Sequence, residues 1–64
     1  MRYVIHIFWS DDSIPERHCS TGIEEVAHWQ AKVISMTEQV KVSVFDTETS
    51  ERTFYDKLQM PNRK

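Results

Sequence analysis

Three histidines, one cysteine and two adjacent aspartates are the side chains of this chain most suited to chemistry, and their spacing limits what each can do. His18 and Cys19 are neighbours, while His6 and His28 lie well apart from them. A structural zinc ion takes four ligands, usually drawn from paired spacings such as C-x2-C or H-x3-H. The spacing here is irregular, and a single cysteine excludes both a multi-cysteine zinc site and an intramolecular disulfide. As a nucleophile, Cys19 needs a base within reach and positive surroundings that lower its pKa. Arg17 could supply the charge, but His18 points away from its neighbour in an extended chain, and no oxyanion-hole glycine is evident. Cys19 therefore reads as an ordinary, partly buried thiol. Asp11 and Asp12 could together hold a magnesium ion, as in metal-dependent nucleases, but the pair is far better explained as a solvated acidic turn. The expectation is the turn, with no cofactor and no enzymatic activity.

These residues have to be carried by few elements. Residues 2–9 are dense in β-branched and aromatic types and predict a strand. Residues 10–20 are polar and predict a loop, longer than the usual ~2–6 residues of a strand-to-helix connection. Thr21 and Glu24 have the spacing of a capping box, which predicts a helix over 22–36. Around that helix Ile23, Val26, Ala27, Val33 and Ile34 share one arc, with Trp29 and Met36 on one flank, Ala31 on the other and a polar Gln30 near its centre, while Glu24, Glu25, His28, Lys32 and Ser35 are assigned to the opposite, solvent-facing arc. Strands are predicted at 40–46 and 51–56, joined by the polar turn 47–50. The tail 57–64 holds Leu58 and Met60 and ends basic. The expected architecture is one α+β domain over residues 1–64, β-α-β-β, with a three-stranded sheet and the helix on one face. The first strand is expected to pair with the strand at 51–56.

One helix covers only one face of such a sheet. Tyr3, Ile5, Ile7 and Trp9, with Val40, Val42, Val44 and Phe54, are assigned to the covered face, and Ile5, Val42, Val26 and Ile34 to the core. Alternation then sends Val4, His6, Phe8, Lys41, Ser43, Phe45, Thr53 and Tyr55 to the other face. A solvated antiparallel face usually reads polar, and this one is apolar and aromatic. An exposed patch of that kind marks an interaction surface, unless Leu58 and Met60 fold back over it.

Bulk properties narrow the partner. A domain of 64 residues buries only ~60% of the surface its unfolded chain exposes, which leaves little room for a deep substrate cleft. Eight basic residues against ten acidic ones give a net charge of −2, whereas proteins held by phosphate contacts usually carry a basic excess. The run Tyr3–Trp9 is too short to span a membrane and is followed by acidic residues that do not suit a signal peptide. Cytoplasmic location is expected. The function expected is a protein-binding module, its partner a host protein or a second copy, with Val4, His6, Phe8, Lys41, Phe45 and Tyr55 as the interface and Trp29 as a further anchor. Single-stranded nucleic-acid binding on the aromatic face is the alternative, and a metal-dependent nuclease using Asp11 and Asp12 comes third.

Two resemblances bear on this. The opening Met1-Arg2-Tyr3-Val4-Ile5 followed by Asp11-Asp12 resembles the start of small ferredoxin-like CRISPR-associated ribonucleases. In that family an aspartate closes the strand itself, where this chain has Phe8, Trp9 and Ser10. The capped segment Ser20-Thr21-Gly22-Ile23-Glu24-Glu25-Val26, with the hairpin around Val44-Phe45-Asp46-Thr47-Glu48-Thr49, resembles small phage-encoded accessory proteins. That likeness, one of length and architecture, implies an inhibitor or adaptor of a host protein.

Overall fold

A computed structural model describes residues 1–59. Its elements are β1 (Tyr3–Phe8), β2 (Glu16–Thr21), α1 (Glu24–Glu38), β3 (Lys41–Asp46) and β4 (Glu51–Asp56). The four strands form one antiparallel sheet in the order β2-β1-β3-β4. The architecture is α+β as expected, with one strand more. The predicted loop 10–20 contains β2, whose sequence Glu-Arg-His-Cys-Ser-Thr lacks the alternation of a half-buried strand. It is an edge strand, and charged edges are how sheets avoid pairing with other chains. Its register slips between Ile5 and His6, because Ile5 faces Cys19 while His6 faces Arg17, leaving His18 as the extra residue of a bulge.

The first strand pairs with residues 41–46 rather than 51–56. Central positions are covered on at least one face and go to the two strands richest in branched apolar residues, β1 and β3. The polar strands β2 and β4 take the edges. Both neighbours of β1 run antiparallel to it, so β2 and β3 are parallel, and α1 is the crossover that such a pair requires.

The core comprises Tyr3, Ile5 and Ile7 from β1, Val42 and Val44 from β3, and Ala27 and Ala31 from α1, with Cys19, Ile34, Val40 and Tyr55 packed around it. Ile5, Val42 and Val44 hold their expected places, and Ile34 lies at the edge of the core. Val26 does not belong to it. The helix buries Ala27, Ala31 and Ser35, and Val26 is 37% exposed and Ile23 58%. Polar tethers on both flanks set this rotation. Gln30 Oε1 accepts a hydrogen bond from Cys19 Sγ on β2 at 3.0 Å, and His28 Nδ1 lies 2.8 Å from the Tyr55 hydroxyl on β4. Small residues beneath the helix leave the space to the branched side chains of the sheet. Trp9, expected on the covered face, is 48% exposed beyond the end of β1, and its indole N–H donates to Glu16.

The helix ends also differ from the expected capping box. Ile23 is the N-cap, in extended conformation and without a side-chain cap. Thr21 Oγ1 instead accepts from the Ile23 N–H at 3.2 Å. Glu24 and Glu25 in the first turn complement the helix dipole. At the other end Gln39 adopts the left-handed conformation, with φ 54°. Its side-chain amide donates to the carbonyls of Met36 and Leu58, both at 2.9 Å, satisfying a carbonyl that the helix leaves free.

Ser35 knits that end together. It is fully buried, and its hydroxyl lies 3.0 Å from the Val40 carbonyl and 3.2 Å from the Tyr55 carbonyl while accepting from the Leu58 N–H at 3.1 Å. Ser35→Ala should therefore cost about 1–3 kcal/mol, because it removes a fully buried hydroxyl and the acceptor of the Leu58 N–H. Urea denaturation of the variant beside wild type measures it. The same contact takes Leu58 to the helix side, so Leu58 does not cover the open sheet face. Met60 lies outside the described residues.

Candidate binding surface

Register fixes the face that the helix leaves open. His6 stands opposite Ser43 and Arg17, Val4 opposite Phe45 and Ser20, and Phe8 opposite Lys41. Across β3 and β4, Phe45 faces Arg52, Ser43 faces Phe54 and Lys41 faces Asp56. Directly paired residues project to the same side. The open face therefore carries Val4, His6 and Phe8 at its centre, flanked by Lys41, Ser43 and Phe45, with Arg52 and Phe54 on one edge strand and Arg17 on the other.

Of the residues predicted for this surface, Val4, His6, Phe8, Lys41 and Phe45 come together on it. Tyr55 does not. It stands opposite Val42 on the helix side, its hydroxyl against His28 and its ring 5.8 Å from Lys32 Nζ. Burial raises its phenol pKa. Phe54 and Tyr55 thus exchange their expected faces, and Thr53, opposite Val44, moves to the helix side with Tyr55. Adjacent aromatics satisfy either parity of a strand, so composition does not decide between them. The pairing of Asp46 with Glu51 across the turn does, and counting outward from that turn places Arg52 and Phe54 correctly. Trp29 is 63% exposed, but it lies on the helix, away from this face.

Cations lie over the rings of the open face. Lys41 Nζ is 4.6 Å from the centroid of Phe54 and 5.7 Å from that of Phe8, and the two rings are themselves 5.9 Å apart. The Arg52 guanidinium lies 4.9 Å from the centroid of Phe45. Each such contact contributes ~0.5–1 kcal/mol at exposed sites, and the aliphatic stems shield apolar surface while the charged heads reach water. Phe54 nevertheless remains 47% exposed. Arg17, Lys41 and Arg52 confront a single carboxylate, Asp56, on this face. The other acids lie on the helix, on β2 toward the helix side, in the β1–β2 connection or around the β3–β4 turn.

Beneath the cations, the centre of the face is polar and unsatisfied. His6 Nδ1 and Ser43 Oγ are buried without a hydrogen-bond partner among the described residues. Burial, and then the charges of Arg52 and Arg17, push the His6 imidazole below its ordinary pKa, so it is neutral at pH 7. At one end of the sheet a bidentate pair closes the first strand onto the turn: Arg2 Nε and Nη2 donate to the two Asp46 carboxylate oxygens, each at 3.0 Å. The Arg2 guanidinium holds that carboxyl down to about 2.

The remaining chemical candidates do not assemble into a centre. Asp11 and Asp12 are exposed in the connection between β1 and β2. Asp11 also lines an open hollow of about 330 Å3 with Trp9, Lys41, Asp56 and Lys57. Among the described residues no three His, Cys, Asp or Glu side chains are placed to share a metal ion. The Cys19 thiol donates to Gln30, and burial raises its pKa. It should react slowly with iodoacetamide at pH 7, and Cys19→Ser should leave binding unchanged. Rapid labelling near neutrality, followed by mass spectrometry, would contradict a protonated, shielded thiol. Among the described residues no helix is long and apolar enough to cross a membrane. No protein family, no curated protein and no solved structure matches this chain.

Proposed function

We propose that this chain is a non-enzymatic protein-binding module that works through its open sheet face, on a partner presenting acidic side chains around an apolar patch. The observation that carries the reading is the segregation of charge. In a chain of net charge −2, Arg17, Lys41 and Arg52 gather on the one face that also displays Phe8, Phe45 and Phe54. Aromatic anchors supply most of the binding energy at protein interfaces, and a complementary ring of charge sets encounter rate and specificity. An inhibitor or adaptor of a host protein, the role implied by the resemblance to phage accessory proteins, needs no more than such a face.

The second reading is single-stranded nucleic acid, favoured by the same alternation of rings and cations, which is how sheet surfaces stack bases. Lys41 and Arg52 already occupy ring faces, so a base would have to displace them. Stacking is worth ~1–3 kcal/mol per base against ~0.5–1 for the cation, so displacement is favourable, and the acidic remainder of the chain then weakens phosphate binding. A metal-dependent nuclease has only the exposed pair Asp11 and Asp12 to build on, with no third ligating group beside them among the described residues.

Affinity capture from a lysate of the source cells, with wild type and Phe54→Asp as paired baits, separates these readings. The expected result is a protein retained by wild type after nuclease treatment and lost from Phe54→Asp. Captured material that disappears on nuclease treatment would transfer the proposal to nucleic acid.

A further inference from the structure

The outer edge of the sheet at β4 is open, and hydrogen-bond parity fixes which backbone groups lie along it. β4 ends the order β2-β1-β3-β4. Just beyond it the Lys57 N–H donates to the Val40 carbonyl at 3.2 Å, in step with the Lys41–Asp56 register. Hydrogen-bonded and open pairs alternate along an antiparallel ladder, so Val42–Tyr55 and Val44–Thr53 are bonded pairs. Arg52, Phe54 and Asp56 therefore turn their N–H and C=O groups outward, away from β3. The Thr47 N–H, which donates to the Arg2 carbonyl across the other side of β3 at 2.9 Å, gives the same parity. Edge strands are ordinarily blunted by charges, prolines or bulges. β2 follows Pro15 and carries the bulge at His18. β4 pairs with β3 along its whole length without a slip and contains no proline. Its middle is Thr53, Phe54 and Tyr55, residue types that favour strands.

We infer that a second copy of the chain pairs along this edge, β4 against β4, antiparallel about a two-fold axis at Phe54, so that one sheet runs through both copies. Charge and register together favour a copy over a foreign strand. With Phe54 opposite Phe54, Arg52 of each copy stands opposite Asp56 of the other, and Thr53 opposite Tyr55. Every outward residue then meets an outward residue, and each donates one backbone hydrogen bond and accepts another. A shift of two residues sets Arg52 against Phe54, or Phe54 against Asp56, and loses the ion pairs. A shift of one sets outward groups against inward ones. Asp56, the single carboxylate of the open face, already stands opposite Lys41, and the pairing adds a second cation on its other side. The Phe54 rings, 47% exposed in the single chain, meet at the axis. Aromatic, β-branched and opposite-charge pairs are the cross-strand contacts that stabilise a sheet. The helices do not obstruct it. α1 packs chiefly on β3 and β1, and three strand spacings, ~14 Å, separate the two copies of β3, more than the ~8–10 Å of packed helices. A seam of 6 residues from each copy falls below the ~1,200 Å2 of stable interfaces, so the dimer is weak and concentration-dependent. Both open faces lie on the same side and join, whatever that surface binds.

Sedimentation velocity of the full chain alone, between about 1 µM and about 1 mM, tests it, with circular dichroism to verify the folding of each variant. Wild type should shift from monomer to dimer over that range. Arg52→Glu and Asp56→Lys each turn both symmetry-related attractions into repulsions, and each should weaken the dimer about tenfold or more. An equal mixture of the two variants should recover it, because every charged cross-strand pair is then of opposite sign. Trp29→Glu, on the helix, should leave it unchanged. Amide hydrogen exchange reads the seam itself: the outward N–H groups of Phe54 and Asp56 should exchange fast in the monomer and slowly in the dimer. A wild type that stays monomeric throughout overturns the inference, including the case in which the edge accepts a strand of a different protein. So does a dimer that leaves those amides fast, one that Trp29→Glu dissolves, or a mixture that associates no better than its components.

Discussion

Replacing Ile5 with alanine should lower the stability of the fold by ~2–5 kcal/mol. Ile5 has no exposed surface and sits mid-strand between Cys19 on β2 and Val44 on β3, within the cluster that includes Ala27 and Ala31. The alanines beneath the helix have no longer side chains to swing into the space, so the cavity persists and its cost approaches the upper part of the range. Folded proteins hold ~5–15 kcal/mol in reserve, and a chain of 64 residues belongs near the bottom of that interval. Urea denaturation followed by circular dichroism should show the variant losing most of its reserve. Val26→Ala supplies the contrast. Hydrophobic periodicity ranks Val26 with Ile5, but its position on the outer side of the helix limits the cost to less than about 1 kcal/mol, measured at a concentration where the chain is monomeric. Equal losses for the two variants would mean that the helix turns Val26, and not only Ala27 and Ala31, toward the sheet.

The second large effect concerns the open face. Reversing two of its charges, Lys41→Glu with Arg52→Glu, should abolish binding of an acidic partner. Breaking a desolvated charge pair costs ~2–5 kcal/mol, so each substitution should weaken binding by about thirtyfold or more. The fold should survive, because what it loses is the cation contacts over Phe8, Phe45 and Phe54, ~0.5–1 kcal/mol each. Calorimetric titration of wild type and the double variant against the captured partner, with thermal melts of both, measures the two effects separately. If the double variant binds the partner as tightly as wild type, the cationic face is not the interface.

The central strands are legible in the sequence and the edges are not. Tyr3, Ile5 and Ile7, like Val42 and Val44, alternate because the helix covers one face of β1 and β3, so period-two patterning reports their burial directly. β2 is hidden for the opposite reason. As an exposed edge strand with a bulge at His18, it buries little, and its polar residues look like a loop. The same logic explains the helix. Its position is plain from its length and composition, but its rotation is held by Gln30 to Cys19, His28 to Tyr55 and the Ser35 hydroxyl, contacts that hydrophobic patterning does not register. The polar Gln30 in the middle of the apolar arc is the available clue, since an amide drawn out of water has to find a partner. Five members of the candidate surface are legible by alternation from two strands. Arg17, Arg52 and Phe54 escape that reading because their strands are polar edges, where side assignment depends on register and turn length.

The most direct test of the open face as the binding surface is a pair of amide chemical-shift titrations of the isotope-labelled chain at about 0.15 M salt. One uses a peptide alternating glutamate with leucine and phenylalanine, the other a short oligothymidylate. The peptide should shift residues 4–8, 41–45 and 52–54 while leaving the outer helix residues Val26, Trp29 and Val33 unmoved, and the oligonucleotide should produce much smaller shifts. Strong oligonucleotide shifts on the same strands, or peptide shifts confined to the helix, would contradict a protein-binding role for this face.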